Sequence, residues 1–174
     1  MGKAALLVID MLNDFVLEGA PLEVPSARDA VPHIKGEIER AREEGVPVIY
    51  VCDAHEEKDP EFERMGWPAH AVAGSVGARV IEELKPLPQD TLITKKSYSG
   101  FFDTSLEEFL KKSGVSQLRV TGCVTNICVL YTVADAVQRG YRVKVLKECV
   151  AGLTSKDHEC GLKQMKEVLG AEIV

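Results

Sequence analysis

The stretch Thr121-Gly122-Cys123-Val124-Thr125-Asn126-Ile127-Cys128 decides how this chain is read. It joins the apolar run Leu118-Arg119-Val120 to a helical pattern running from Asn126 to Arg139. A strand, a Gly, and Thr-Asn as N-cap candidates place Cys128 in the first turn of a helix. Unpaired backbone N–H groups and the positive end of the helix dipole favour a thiolate there, so the expectation is a lowered cysteine pKa. The same N–H groups suit the oxyanion formed when a thiolate attacks a carbonyl. A cysteine by itself is more often a small core residue. The rest of the chain decides between these readings.

Working outward, apolar runs and helical patterns alternate. Ala4 to Ile9 is a continuous apolar run, as expected of a parallel strand buried on both faces, and it ends at Asp10. Met11 to Pro25 reads as a loop, and Ala27 to Gly45 as a helix stopped by its glycine. Val46 to Cys52 is a second strand followed by Asp53 and His55; Glu56 to Gly74 has no regular period. A short helix over Gly77 to Leu84 precedes a third strand, Thr91 to Thr94, which ends at Lys95-Lys96. Thr104 to Ser113 reads as a helix with a Thr104–Glu107 capping box. Ser116 to Val120 and Tyr141 to Leu146 are strands, Ser155 to Leu169 the last helix and Ala171 to Val174 a short final strand.

This alternation predicts one α/β domain over residues 1–174, a three-layer α/β/α sandwich around a mainly parallel six-stranded sheet. A Rossmann-like order 3-2-1-4-5-6 would gather several strand ends around one crevice. With 174 residues and a net charge of −6, the chain suits neither nucleic acid nor an anionic membrane surface as its main partner. No apolar run reaches membrane-spanning length and no secretory leader is evident, so a cytoplasmic location is expected. Five cysteines without CxxC spacing argue against a disulfide framework or a four-cysteine zinc site.

Asp10, Lys95 and Cys128 each follow a different apolar strand, so the fold can bring them together. A carboxylate beside a thiol can take its proton and deliver it to a leaving amine. An ammonium between them stabilises both thiolate and oxyanion. A one-residue slip of the strand would exchange Lys95 for Lys96. Asp53-Ala54-His55 with His70 offers a carboxylate and two imidazoles to a divalent metal, zinc first, with iron or manganese as alternatives. Glu63 is the fourth candidate, direct or through water, with Glu61 close enough to replace it. His33 and His158 fall in helical patterns and read as surface residues. Phe15 and Trp67 are placed to stack on the two faces of a planar ligand, and Tyr98 to line the pocket.

These residues carry a family resemblance. Asp10 in VIDMLNDF, Lys95 in KKSYSGFFDTSL with its Lys-x-x-Tyr-Ser spacing, and Cys128 in GCVTNICVLYTVADA resemble the Asp–Lys–Cys signature of the isochorismatase-like cysteine hydrolases. The loop DAHEEKDPEFERMGWPAH resembles the metal loop of the nicotinamidase branch, with Asp53, His55, Glu63 and His70 in matching places. The resemblance implies a small carboxamide substrate, nicotinamide, held with its ring nitrogen on the metal and its ring between Phe15 and Trp67. It implies a Cys128 thioester, proton transfer by Asp10, charge support from Lys95, and release of nicotinate. It further implies an oxyanion hole from the N–H groups of Val124 and Cys128, a cis peptide at Cys123–Val124, and a homo-oligomer. Other amide or enol-ether hydrolases of the same superfamily, lacking the metal, are the rival enzyme reading.

Overall fold

The computed structural model describes residues 2–174. Six strands form one sheet in the order β3-β2-β1-β4-β5-β6, every pairing parallel. They are β1 (Lys3–Ile9), β2 (Val48–Asp53), β3 (Thr91–Lys95), β4 (Val115–Cys123), β5 (Arg142–Ala151) and β6 (Glu172–Ile173). The order reverses between β1 and β4, which places a crevice at their carboxyl ends.

Alternating side chains of the central strands feed two separate cores. Leu7, Ile9, Ile49, Val51, Leu118 and Val120 pack under α4 (Leu106–Lys112), α5 (Leu130–Gln138) and α6 (Ser155–Glu167). Leu6, Val8, Val48, Tyr50 and Cys52 face α2 (Ala27–Glu43), which buries Ala27, Ala30, Ile34, Ile38 and Ala41. A sheet buried on both faces needs apolar residues in both phases of each strand, which is why β1 and β2 read as unbroken apolar runs.

Several boundaries differ from the sequence reading, each for a local reason. Gly77 to Leu84 is not a helix; only Glu82–Leu84 forms a 3₁₀ turn. A Cβ on Gly77 would lie 2.0 Å from the Asp14 carboxylate, so this glycine serves close packing. No capping box forms at Thr104, whose hydroxyl accepts from the Leu106 N–H, while Glu107 pairs with Lys111 and Arg139. Two short helices lie within segments that read as loops: α1 (Asn13–Val16) is one turn, and α3 (Pro60–Met65) stands in the aperiodic stretch after β2. Asp59 caps α3, Pro60 starts it and Gly66, at φ +65°, ends it. β5 extends five residues beyond its predicted end, to Ala151. The helix predicted over Asn126 to Arg139 is two pieces, a π turn at Thr125–Val129 and then α5. Among the described residues no helix is long and apolar enough to cross a membrane.

Candidate active site

β1, β2, β3 and β4 end side by side, and each delivers one or more polar groups to the crevice. Asp10, one residue past β1, adopts φ +50°, a left-handed conformation that a non-glycine residue holds only where its surroundings enforce it. The Leu12 N–H and the Cys123 thiol both donate to its carbonyl, at 2.8 and 3.1 Å. Its side-chain Oδ1 accepts the Asp53 N–H at 2.8 Å. Gly122, at φ +114°, lets β4 approach closely, since a Cβ there would lie 1.9 Å from the Ile9 carbonyl oxygen. The next peptide, Cys123–Val124, is cis.

Lys95 closes the cluster. Its buried ammonium lies 2.8 Å from Asp10 Oδ2 and 3.4 Å from Cys128 Sγ, and it also donates to Asp53 Oδ1. Lys96 points out to solvent and pairs with Glu56, so the register selects Lys95. Acceptor and donor atoms of Asp10, Asp53 and Cys128 all fall within 4.8 Å of one another. Burial lifts the Asp10 carboxyl, the Asp53 charge adds to this, and Lys95 opposes it; the result is about 6. Lys95 remains a cation, because the charges of Asp10 and Asp53 outweigh its burial.

The cysteine departs from the sequence expectation. Burial pushes the Cys128 thiol well above its ordinary range, and the Lys95 charge does not compensate. Cys128 sits within the π turn, so the helix-end argument alone omitted the larger cost of desolvating a thiolate. The free site thus pairs a neutral thiol with an Asp10 carboxyl raised towards neutral pH, and in its ionised form that carboxylate can act as the general base that activates the thiol.

Asp53 bridges to a second cluster. Burial raises it, but Lys95 and His55 outweigh that and hold it below the usual carboxylate range. Donor atoms of Asp53, His55 and His70 lie within 4.8 Å of one another. His70 Nδ1 is 2.8 Å from the Pro68 carbonyl oxygen, to which it must donate, leaving Nε2 as the free lone pair. His55 Nδ1 is 3.1 Å from Asp59, while its buried Nε2 makes no hydrogen bond, with Asp53 at 3.5 Å and Glu61 at 3.7 Å. Burial lowers His55, yet the carboxylates Asp53 and Asp59 outweigh it and lift the group to about 9. An unpartnered ring nitrogen facing two carboxylates and a second imidazole fits a divalent cation, and the mixed N/O donor set suits zinc.

Glu63 is corrected here. It is exposed, whereas Glu61 is buried with its carboxylate facing His55. Positions two apart on a helix point to different faces, so only one of the pair can turn inward.

A cleft opens over both clusters, lined by Asp10, Asp53, Cys128, Phe15, Trp67 and Tyr98 among others. Phe15 and Trp67 both adjoin His70, with ring centroids 5.5 and 6.0 Å from it. Tyr98 packs on Tyr131 at 5.6 Å. Val124 and Cys128 also line the cleft. The apolar wall of Leu22, Val24, Ile127 and Leu153 was missed in the sequence, because nothing local distinguishes it from core. Asp59 was missed too, although Asp59-Pro60 is a helix-start signal. His158, expected at the surface, is half-buried, with Nδ1 2.9 Å from the Thr125 hydroxyl. His33 is exposed.

An acid, an ammonium and a thiol converging at the carboxyl edge of a parallel sheet are the equipment of a hydrolase that works through a cysteine. The family follows from comparison: residues 4–174 match the isochorismatase domain, and this chain belongs to that family of hydrolases. It is 37% identical to an Arabidopsis thaliana protein called a "probable inactive nicotinamidase", over 95% of this chain and 89% of that one. The N-carbamoylsarcosine amidase of Thermoplasma acidophilum has a similar structure, with a TM-score of 0.89, 35% identity and coverage of 98% and 95%. The pyrazinamidase of Pyrococcus horikoshii, solved in complex with zinc, superposes with a TM-score of 0.92 at 32% identity, covering 99% and 98%.

Proposed function

We propose that this protein hydrolyses a small aromatic carboxamide, nicotinamide foremost, to the acid and ammonia through a Cys128 thioester. The observation that supports it most is the shared Asp53. One carboxylate oxygen meets the Lys95 ammonium of the nucleophile cluster, and the other faces His55 of the metal-type cluster. The two clusters therefore address one ligand, its amide at one end and a metal-binding atom at the other.

In this reading Phe15 and Trp67 hold the ring, and Asp53, His55 and His70 hold a divalent cation, with Glu61 behind them. The cation, when bound, supplies a Lewis-acid anchor for a ring nitrogen. Asp10 removes the Cys128 proton as the sulfur attacks the carboxamide carbon. The N–H groups of Val124 and Cys128 receive the oxyanion, and Lys95 balances the charge that builds beside it. Asp10 then passes the proton to the departing amine, so ammonia leaves as a neutral molecule. Water, deprotonated by Asp10, attacks the thioester; the carbon–sulfur bond breaks, Asp10 returns the proton to the Cys128 sulfur, and the carboxylic acid is released.

Pocket charge also favours a neutral substrate. Its polar lining is three carboxyls, two thiols, His70, Trp67 and Tyr98 without a lysine or arginine, and Lys95 beneath it is already committed to two carboxylates. A substrate with its own carboxylate, as carbamoylsarcosine has, would find no free cation on this wall. The rival reading remains an amidase for such acids, supported by the 35% identity to the carbamoylsarcosine amidase.

An ammonia-release assay on nicotinamide, pyrazinamide, benzamide and carbamoylsarcosine tests this, with and without chelator. Nicotinamide and pyrazinamide should lead, benzamide should be poor for want of a ring nitrogen, and chelation should reduce turnover. Cys128→Ala should lower turnover by about 10⁴-fold or more while leaving the fold intact. Preference for carbamoylsarcosine, or turnover surviving Cys128→Ala, would overturn the assignment.

A further inference from the structure

We propose that Asp59 is a positioning residue that organises the cation cluster through both of its carboxylate oxygens at once. This rests on reading Asp53, His55 and His70 as metal ligands, and it adds a residue outside that set. Oδ1 accepts the Glu61 N–H at 2.9 Å and so caps α3, the helix that carries Glu61. Oδ2 stands 3.1 Å from His55 Nδ1. One side chain therefore fixes the two elements whose inward faces meet: Glu61 Oε2 lies 3.7 Å from His55 Nε2.

The chemistry follows from what a carboxylate can do. Ionised, it only accepts, so His55 Nδ1 must carry the proton that points at Asp59. That proton leaves Nε2 as the ligand atom, aimed at Asp53, Glu61 and the space between them. A metal-ligating histidine held in this way is better oriented and more basic. Phe62, the next residue on α3, packs edge-on against the same imidazole at a centroid distance of 5.3 Å. The helix, its cap and His55 are thus held together, and Asp59 is the residue common to all three.

Asp59→Asn separates the two duties. Its amide oxygen can still accept the Glu61 N–H, so α3 stays capped. The amide NH₂ then faces His55 Nδ1, which must become an acceptor, and the proton moves to Nε2, where a cation would bind. Two measurements on the full chain decide the matter. Zinc affinity, read by competition with a chromophoric chelator, should fall by about 10- to 100-fold. The ¹⁵N spectrum of His55, in metal-free protein at a pH alkaline enough for its ring to be neutral, should show Nδ1 protonated in the parent and unprotonated in Asp59→Asn.

Asp59→Ser serves if the Asn variant folds poorly: serine caps well but gives His55 no anionic partner, so zinc affinity should again fall while thermal unfolding stays near the parent. Unchanged zinc affinity in the variants, or an Nδ1 proton that persists in Asp59→Asn, overturns the role of Asp59. If the parent itself binds no zinc, the metal reading fails, and the Nδ1 signal alone still accepts or rejects the control of His55 by Asp59.

Discussion

β3 has a carboxylate–cation contact at each end, and the two are built differently. Just before its first residue, Asp90 receives Arg42 of α2 in a two-point pairing and also accepts the Leu87 N–H at 2.8 Å. Nearby, Tyr50 donates its hydroxyl to the Leu84 carbonyl at 2.8 Å. Every strong polar atom there is answered, and the helix is stapled to the strand turn. At the other end Lys95 meets two carboxylates and a thiol, Asp10 is lifted to about 6, and His55 Nε2 is left without a partner. Satisfied groups hold a structure in place. A cluster with more acids than cations and a spare donor is poised to take up a proton or a cation, and such imbalance is how folded chains hold reactive groups.

The contrast can be broken most forcefully at Lys95. Lys95→Met leaves two carboxylates close together without their cation, so it should cost about 3–5 kcal/mol of stability and about 10³-fold or more in turnover. Chemical denaturation with a parallel amidase assay reads both; loss of activity without loss of stability would mean that Lys95 does not offset the repulsion of the two carboxylates in the folded state. Arg42→Ala, at the other end, should cost about 1–2 kcal/mol and leave KM unchanged, because Arg42 is partly exposed and touches only structure. A shifted KM would show that the staple reaches the pocket.

Tyr50 gives the staple a pH signature. Burial raises its phenol to about 12, above the ordinary 10. The folded state therefore holds this proton more tightly than the unfolded chain does. The corresponding stability, on the order of 2 kcal/mol, is present below pH 10 and is lost as pH rises through about 12. Tyr50→Phe should flatten that alkaline decline in urea midpoints, at a cost of about 1 kcal/mol near neutrality from the stranded Leu84 carbonyl. The smallest effect belongs to Glu63: Glu63→Gln should change neither zinc affinity nor turnover measurably, whereas Glu61→Gln should weaken zinc binding. Equal effects would mean that the inward face of α3 has been misplaced.

Much of this was legible along the chain, for identifiable reasons. Unbroken apolar runs in β1 and β2 announced strands covered on both faces, and Asp10, Asp53 and Lys95 stood at or just past strand ends, where such sheets place their ligands. The Lys95 or Lys96 ambiguity needed the sheet register, because adjacent strand residues face opposite sides. The Glu61 or Glu63 choice needed α3, whose start was written in Asp59-Pro60 but whose inward face depends on how it lands on His55. The Gly77–Leu84 helix failed because that segment is held instead by contacts with the Asn13 region, the Asn13 and Asp14 N–H groups donating to the Arg79 and Gly77 carbonyls.

The amino-acid order alone determined most of the alternating strands and helices, because periodicity is a local property, and that alternation implied a parallel sheet with a switch point. It also determined which acid, ammonium, thiol and imidazoles were available. Tertiary structure alone decided their charge states and partners. The Cys128 thiol is raised rather than lowered, Asp53 joins two clusters, and Asp59 grips His55, since desolvation and charge–charge coupling depend on what lies across space within a few ångströms, which no spacing along the chain records.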